Sequence, residues 1–216
     1  MRTHNKETQA TTTPEMALDF LKEGNRRFVS NLKYNRDLLQ QVNETKEGQW
    51  PFAVILSCID SRTSAELVFD QGLGDVFSVR IAGNVVNDDI VGSMEFACKV
   101  AGSKLIVVLG HSKCGAIKGA CSHVELGHLT GLLNKVKPAI EKVEEERGQQ
   151  ATGAEFVEAV AHANTLISLE EILERSPILR EMYENGEIGL AAAYYQVETG
   201  EVKFIKEKVK AGELVA

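Results

Sequence analysis

Apolar residues crowd into a few short unbroken runs separated by amphipathic stretches and glycines. Phe52-Ala53-Val54-Ile55-Leu56 is one run, predicted as a first strand over about 52–57. Asp75-Val76-Phe77-Ser78-Val79-Arg80 is a second strand, and 104–109, Lys104-Leu105-Ile106-Val107-Val108-Leu109, a third. Ile188 to Val197 is a fourth; Glu198-Thr199-Gly200-Glu201 is a hairpin turn, from which Val202 to Ile205 returns as a final strand. Continuous apolar runs of this length suit strands buried on both faces.

Helical spacing fills the intervals. Thr13 can cap a helix with Pro14 at its first position, followed by an apolar stripe of Ala17, Leu18, Leu21 and Phe28. Further helices are predicted over 63–69, 88–101 and 115–123. Beyond these, Leu129 to Val136 form an amphipathic stretch that Pro138 breaks or restarts, ending in the charged run 144–147 with Gly148. Residues 153–174 suit a long helix, and Pro177 starts a short one that Gly186 closes. Strands alternating with helices predict an α/β fold: a mostly parallel central sheet flanked by helices, with an antiparallel C-terminal edge strand and an N-terminal helical arm. The expected organisation is a flexible tail over 1–13, the arm over 14–48, with 31–48 polar and unassigned, and a single α/β domain over 49–216.

Two of the buried strands deliver reactive side chains at their carboxyl ends, where open parallel sheets build their sites. Cys58-Ile59-Asp60-Ser61-Arg62 follows the first strand, and His111-Ser112-Lys113-Cys114-Gly115 follows the third. Two thiols and an imidazole are a ligand set for Zn²⁺ that leaves a fourth position open. His111 and Cys114 are close enough in sequence to face one point at the start of a helix, and Cys58 would pin a second strand to it. Cys98 and Cys121 lie inside helical stretches without His or carboxylate companions and read as small buried hydrophobes. Asp60 and Arg62 allow more than one reading: a local ion pair capping the next helix, an acceptor held ionised beside the open metal position, or a carboxylate that turns onto the metal and closes it.

Composition narrows the partners. The 216 residues, 44% hydrophobic and 25% charged, suit one well-buried domain. A net charge of −7 argues against nucleic acid and anionic membranes as partners. No apolar run is long enough to span a bilayer, and the polar, Thr-rich start lacks the apolar core of a secretory signal, so a cytoplasmic location is expected. Four cysteines are too few for a disulfide scaffold and favour reduced thiols, with a metal on some of them.

The motifs together resemble the β-class carbonic anhydrases. Cys58-x-Asp60-Ser61-Arg62 and Gly110-His111-Ser112-x-Cys114-Gly115 carry the likeness, with Gly24-Asn25-x-Arg27-Phe28, Arg80-x-Ala82-Gly83-Asn84, Ser176-Pro177-Ile178-Leu179 and Tyr195-x-x-x-Thr199-Gly200 in support. Ile81 stands where that family usually has Asn, and Ile55 where its allosteric subclass has Trp, so no second bicarbonate pocket is expected. The resemblance implies zinc-dependent reversible hydration of carbon dioxide to bicarbonate and a proton, by attack of zinc-bound hydroxide. It places Cys58, His111 and Cys114 on the zinc and Asp60 and Arg62 in the catalytic dyad. It further implies that Gln49, Phe77, Ala82, Phe96 and Gly115 contact substrate, and that cleft residues come from a neighbouring subunit in a homodimer or a tetramer built of dimers. Three other functions share many of these residues. A same-fold hydrolase of carbon disulfide or carbonyl sulfide would use the same centre. A non-catalytic zinc-stabilised module would not need Asp60, Arg62 and Gln49. A Cys–His nucleophilic hydrolase would leave the second thiol unexplained.

Overall fold

Odd- and even-numbered residues of the central strands face opposite layers, and both layers are buried. Strands β1 (Ala53–Ser57), β2 (Val76–Arg80), β3 (Leu105–His111), β4 (Gly189–Tyr195), β5 (Val202–Lys210) and β6 (Glu213–Val215) form one sheet in the order β2-β1-β3-β4-β5-β6. The computed structural model describes residues 3–147, 153–210 and 213–215. β1, β2, β3 and β4 pair in parallel, while β5 and β6 are added antiparallel. The expected fold class is therefore present. β5 runs further than expected, and β6 was not expected.

Val54, Leu56, Ile106, Val108, Leu190 and Ala192 point into one layer. There they meet α5 (Asp88–Glu95), α9 (Ala154–Arg175) and α10 (Pro177–Glu184). Ala53, Ile55, Leu105, Val107, Leu109, Ala191 and Ala193 point into the other layer, against α2 (Pro14–Val29) and α4 (Ala65–Val68). A third cluster joins α6 (Gly115–Cys121), α8 (Lys137–Arg147) and α9 beyond the carboxyl ends of the strands. α7 (Gly127–Leu133) leads into α8 through a 3₁₀ turn, Asn134–Val136. The helix expected over 88–101 instead changes to a π-helical turn at Phe96–Val100. Gly148, expected to end α8, lies outside the described residues.

The amino-terminal region holds elements that periodicity did not reveal. Within 1–13, the supposed tail, residues 6–11 form α1 (Lys6–Thr11), capped reciprocally by Asn5 and Thr8. Gln9 is buried and its Nε2 donates to Pro51 O and Ala101 O, both at 2.8 Å. The segment docks through polar groups, which hydrophobic periodicity cannot reveal. α2 begins as expected, with Met16 N donating to Thr13 Oγ1 at 3.2 Å. It lays Ala17, Leu18 and Leu21 on its own sheet. The unassigned stretch contains α3 (Leu38–Thr45), whose Leu38, Leu39 and Val42 are exposed and whose buried contact is Gln41. That inverted face hid the helix.

Candidate metal centre

β1 and β3 are adjacent, and the chain leaves β1 toward opposite sides of the sheet in reaching β2 and then β3. The crevice at such a reversal, beyond the strand ends, is where open α/β sheets bind ligands. Ser57 pairs with Leu109, so Cys58 emerges just as β3 continues through Gly110 to His111. Gly110 is required by packing: a Cβ there would come within 2.0 Å of Thr165 Oγ1 on α9. Lys113 takes a left-handed conformation, φ 54°, and turns the chain so that Cys114 caps α6.

These three short paths bring Cys58, His111 and Cys114 together. Their donor atoms lie within 4.8 Å of one another, and all three residues are buried. The two sulfurs are 4.0 Å apart. His111 Nδ1 lies 2.9 Å from Ser112 O. A carbonyl can only accept, so Nδ1 carries the hydrogen and Nε2 presents a lone pair. That Nε2 is buried with no hydrogen-bond partner. Such an orphan costs roughly 1–3 kcal/mol, and a cation shared with the two sulfurs would remove the cost. The residues present thus fit a thiophilic divalent ion. The hydrogen bond from the Cys114 thiol pulls Cys58 down to about 4, against burial and helped by His111 and the N–H of Gly83. The same pairing, together with burial, pushes Cys114 up. In physical terms the pair readily holds a single proton between them.

Asp60 stands beside this group without belonging to it. Arg62 grips its carboxylate twice, Nε to Oδ1 at 2.9 Å and Nη2 to Oδ2 at 2.7 Å, and adds its backbone N–H to Oδ1 at 3.0 Å. Those bonds hold the Asp60 carboxyl well below the usual range, against a smaller effect of burial. The loop itself is tied down from behind. Arg80 donates to Cys58 O at 3.0 Å and to Asp60 O at 2.7 Å, and Thr63 Oγ1 donates to the same two carbonyls. Gly83 donates its N–H to Cys58 Sγ at 3.4 Å. Arg80, Gly83 and Asn164, which donates to Gly83 O, are the supporting residues that sequence reasoning did not single out. A signal was available for two of them, since Arg80 and Gly83 lie in the quoted loop; Asn164 stands among His162, Thr165 and Ser168 on a mixed helix and carried none.

Of the other expected site residues, Ala82 lies in the 3₁₀ turn with Gly83, and Gly115 follows Cys114 with open space where a Cβ would be. Gln49 is exposed and precedes β1, so the length of that strand separates it from Cys58. Phe77 pairs with Val54, well back from the carboxyl edge, and its ring lies 6.2 Å from that of the half-exposed Phe96. Within one chain these three are not brought to the triad. Cys98 is buried and burial pushes its thiol up to about 12, as an inert core residue requires. Cys121 is half-buried and pushed up to about 11 by burial.

Residues 53–202 match the family model described as carbonic anhydrase. The chain belongs to the β-carbonic anhydrase family. As a carbonic anhydrase it is a lyase. Carbonic anhydrase 2 of Mycobacterium tuberculosis is 36% identical over 197 residues, covering 88% of this chain and 91% of that protein. The β-carbonic anhydrase CafA of Aspergillus fumigatus superposes with TM-score 0.70 at 26% identity, covering 88% of this chain and 89% of that one. One of two tetrameric β-carbonic anhydrases of Sordaria macrospora gives TM-score 0.70 at 25% identity, over 81% and 87%. Among the described residues of this β-carbonic anhydrase, no helix is long and apolar enough to cross a membrane.

Proposed function

We propose that the protein hydrates carbon dioxide reversibly to bicarbonate and a proton, using Zn²⁺ held by Cys58, His111 and Cys114. The observation that carries this reading is the partnerless, buried Nε2 of His111 facing two sulfurs. When bound, the ion supplies a Lewis acid that makes a water acidic and nucleophilic near neutral pH. Cys58 and Cys114, both ionised, would cancel its charge, and His111, held by the Nδ1–H bond to Ser112 O, would offer it the Nε2 lone pair. Asp60 would accept a hydrogen bond from the attacking oxygen and so orient a lone pair of that oxygen toward the substrate carbon. Arg62 keeps Asp60 ionised and, by bonding both oxygens, holds it in place with one acceptor site on Oδ2 left for that contact, and Asp60 stays off the metal at neutral pH and above.

Carbon dioxide needs a small apolar slot rather than tight binding. Ala82 and Gly115 flank the centre in the same chain. Gln49, Phe77 and Phe96 serve the site of a neighbouring chain, in a homodimer or a tetramer built of dimers. The exposure of Gln49 and Phe96 in one chain supports this assignment. So does the tetrameric description of the Sordaria macrospora enzymes. Reduced thiols fit a cytoplasmic location. The deciding test is a metal analysis with a stopped-flow assay of carbon dioxide hydration. One zinc per chain and hydration far above background are expected. A metal-free protein that still hydrates carbon dioxide would overturn the reading.

A further inference from the structure

The turn Ala82–Asn84 has an unusual backbone. Gly83 has φ 71° and the next residue, Asn84, has φ 43°. Two successive left-handed residues, the second not a glycine, need something to hold them, because such a conformation costs of order 1–3 kcal/mol. The holder is on another element. Asn164, buried on α9 at 3% exposure, donates Nδ2–H to Gly83 O at 2.9 Å. On the opposite side of the same residue, the Gly83 N–H points at Cys58 Sγ, 3.4 Å away.

We propose that Asn164 is a positioning residue for the metal centre, acting through Gly83 on the sulfur of Cys58. The side chain fixes the Gly83–Asn84 peptide and with it the left-handed backbone of Gly83, which orients the preceding Ala82–Gly83 peptide so that its N–H is aimed at the sulfur. This rests on the reading of Cys58 as a metal ligand. The chemical consequence follows from charge. Two thiolates already offset the divalent ion, which weakens its pull on water. An N–H donor on one sulfur draws electron density off that sulfur, and less is passed to the metal. Asn164 thereby restores part of the Lewis acidity that a second cysteine ligand removes.

Cobalt substitution reports on this directly, because a cobalt–thiolate centre has a sulfur-to-metal charge-transfer band. A hydrogen bond lowers the energy of the sulfur lone pair and moves the band to shorter wavelength. Asn164→Leu, close in shape but without a donor, should shift the band to longer wavelength. It should also release metal to a chelator about 10-fold faster, because Cys58 would no longer be held in position and that loss outweighs the stronger donation of an unbonded sulfur. Asn164→Ser, which leaves room for a bridging water, should fold in any case and fall between the two. Unchanged band position and release rate in folded Asn164→Leu or Asn164→Ser, with only a lower melting temperature, would overturn the proposal and leave Asn164 a packing residue. A wild-type protein showing no thiolate band would instead sink the metal reading beneath it.

Discussion

Two buried polar clusters lie against this sheet, and they are finished differently. Where α2 meets the chain after α4, Asn25 Nδ2 donates to Val68 O at 3.0 Å and to Gly200 O at 2.9 Å, while its Oδ1 accepts from Val202 N at 2.8 Å. Nearby, Asp70 takes Arg27 Nε at 2.6 Å, a bond from Arg36, and Tyr34 N at 3.3 Å. Gly24 lets the helix press against Phe69, since a Cβ there would meet Phe69 O at 1.8 Å. Apart from Arg36 Nε, the buried hydrogen-bonding atoms of these side chains find partners inside the protein. At the carboxyl edge of β1 and β3 the reverse holds: an imidazole nitrogen is left with nothing, and two sulfurs share a proton. Both clusters sit under motifs that resemble the family. The difference teaches that a closed set of partners marks a staple, and an open one marks a place for chemistry.

Removing a ligand should break the comparison most completely. Cys58→Ser or His111→Asn is expected to lose zinc and carbon dioxide hydration together, read by metal analysis and stopped flow. Asp60→Asn comes next. It should retain zinc and lose about 10²–10⁴ in kcat, the usual range for a positioned proton acceptor. Retention of the wild-type rate would remove Asp60 from the mechanism.

A change in the staple should do the opposite. Asp70→Asn leaves Arg27 and Arg36 without their anion and should cost about 3–5 kcal/mol of stability. Its kcat per folded molecule should be unchanged. Burial pushes the Asp70 carboxyl up, but the bonds from Arg27 and Arg36 outweigh it, so the carboxyl ends below its ordinary value. Its contribution is therefore present above the unfolded pKa, about 3.9, and is lost as pH falls through the folded value. The gap between denaturant melts of wild type and Asp70→Asn should begin to narrow below about pH 4 and close once the pH is below the lowered folded value. A gap that persisted there would mean the charge of Asp70 was not what mattered.

The sheet was legible because its central strands are apolar on both faces, so their runs stand out. The cluster of thiols and imidazole was legible because Cys58 and His111 follow those runs directly. Other parts were hidden for identifiable reasons. α1 is attached by the amide of Gln9 and α3 turns Leu38 and Leu39 to the outside, so neither shows an inward apolar stripe. The π turn at Phe96–Val100 inserts its extra residue into a stretch whose composition is ordinary for an α-helix. Asn164 acts from a helix more than a hundred residues from Cys58, and only folding places the two either side of Gly83. Gln49, Phe77 and Phe96 have no visible business with the triad in a single chain. On the proposed reading they serve the site of a neighbouring chain.

The bare glycine at 110 allows α9 to lie almost on the backbone of β3, with Thr165 filling the space a side chain would have taken. The neighbouring Asn164 is carried to its post by that same close seating. Packing distance between helix and sheet is thus a control on the sulfur of Cys58. A methyl group at 110 would act as a wedge, and the displacement would be felt at the reactive corner without any ligand having been touched.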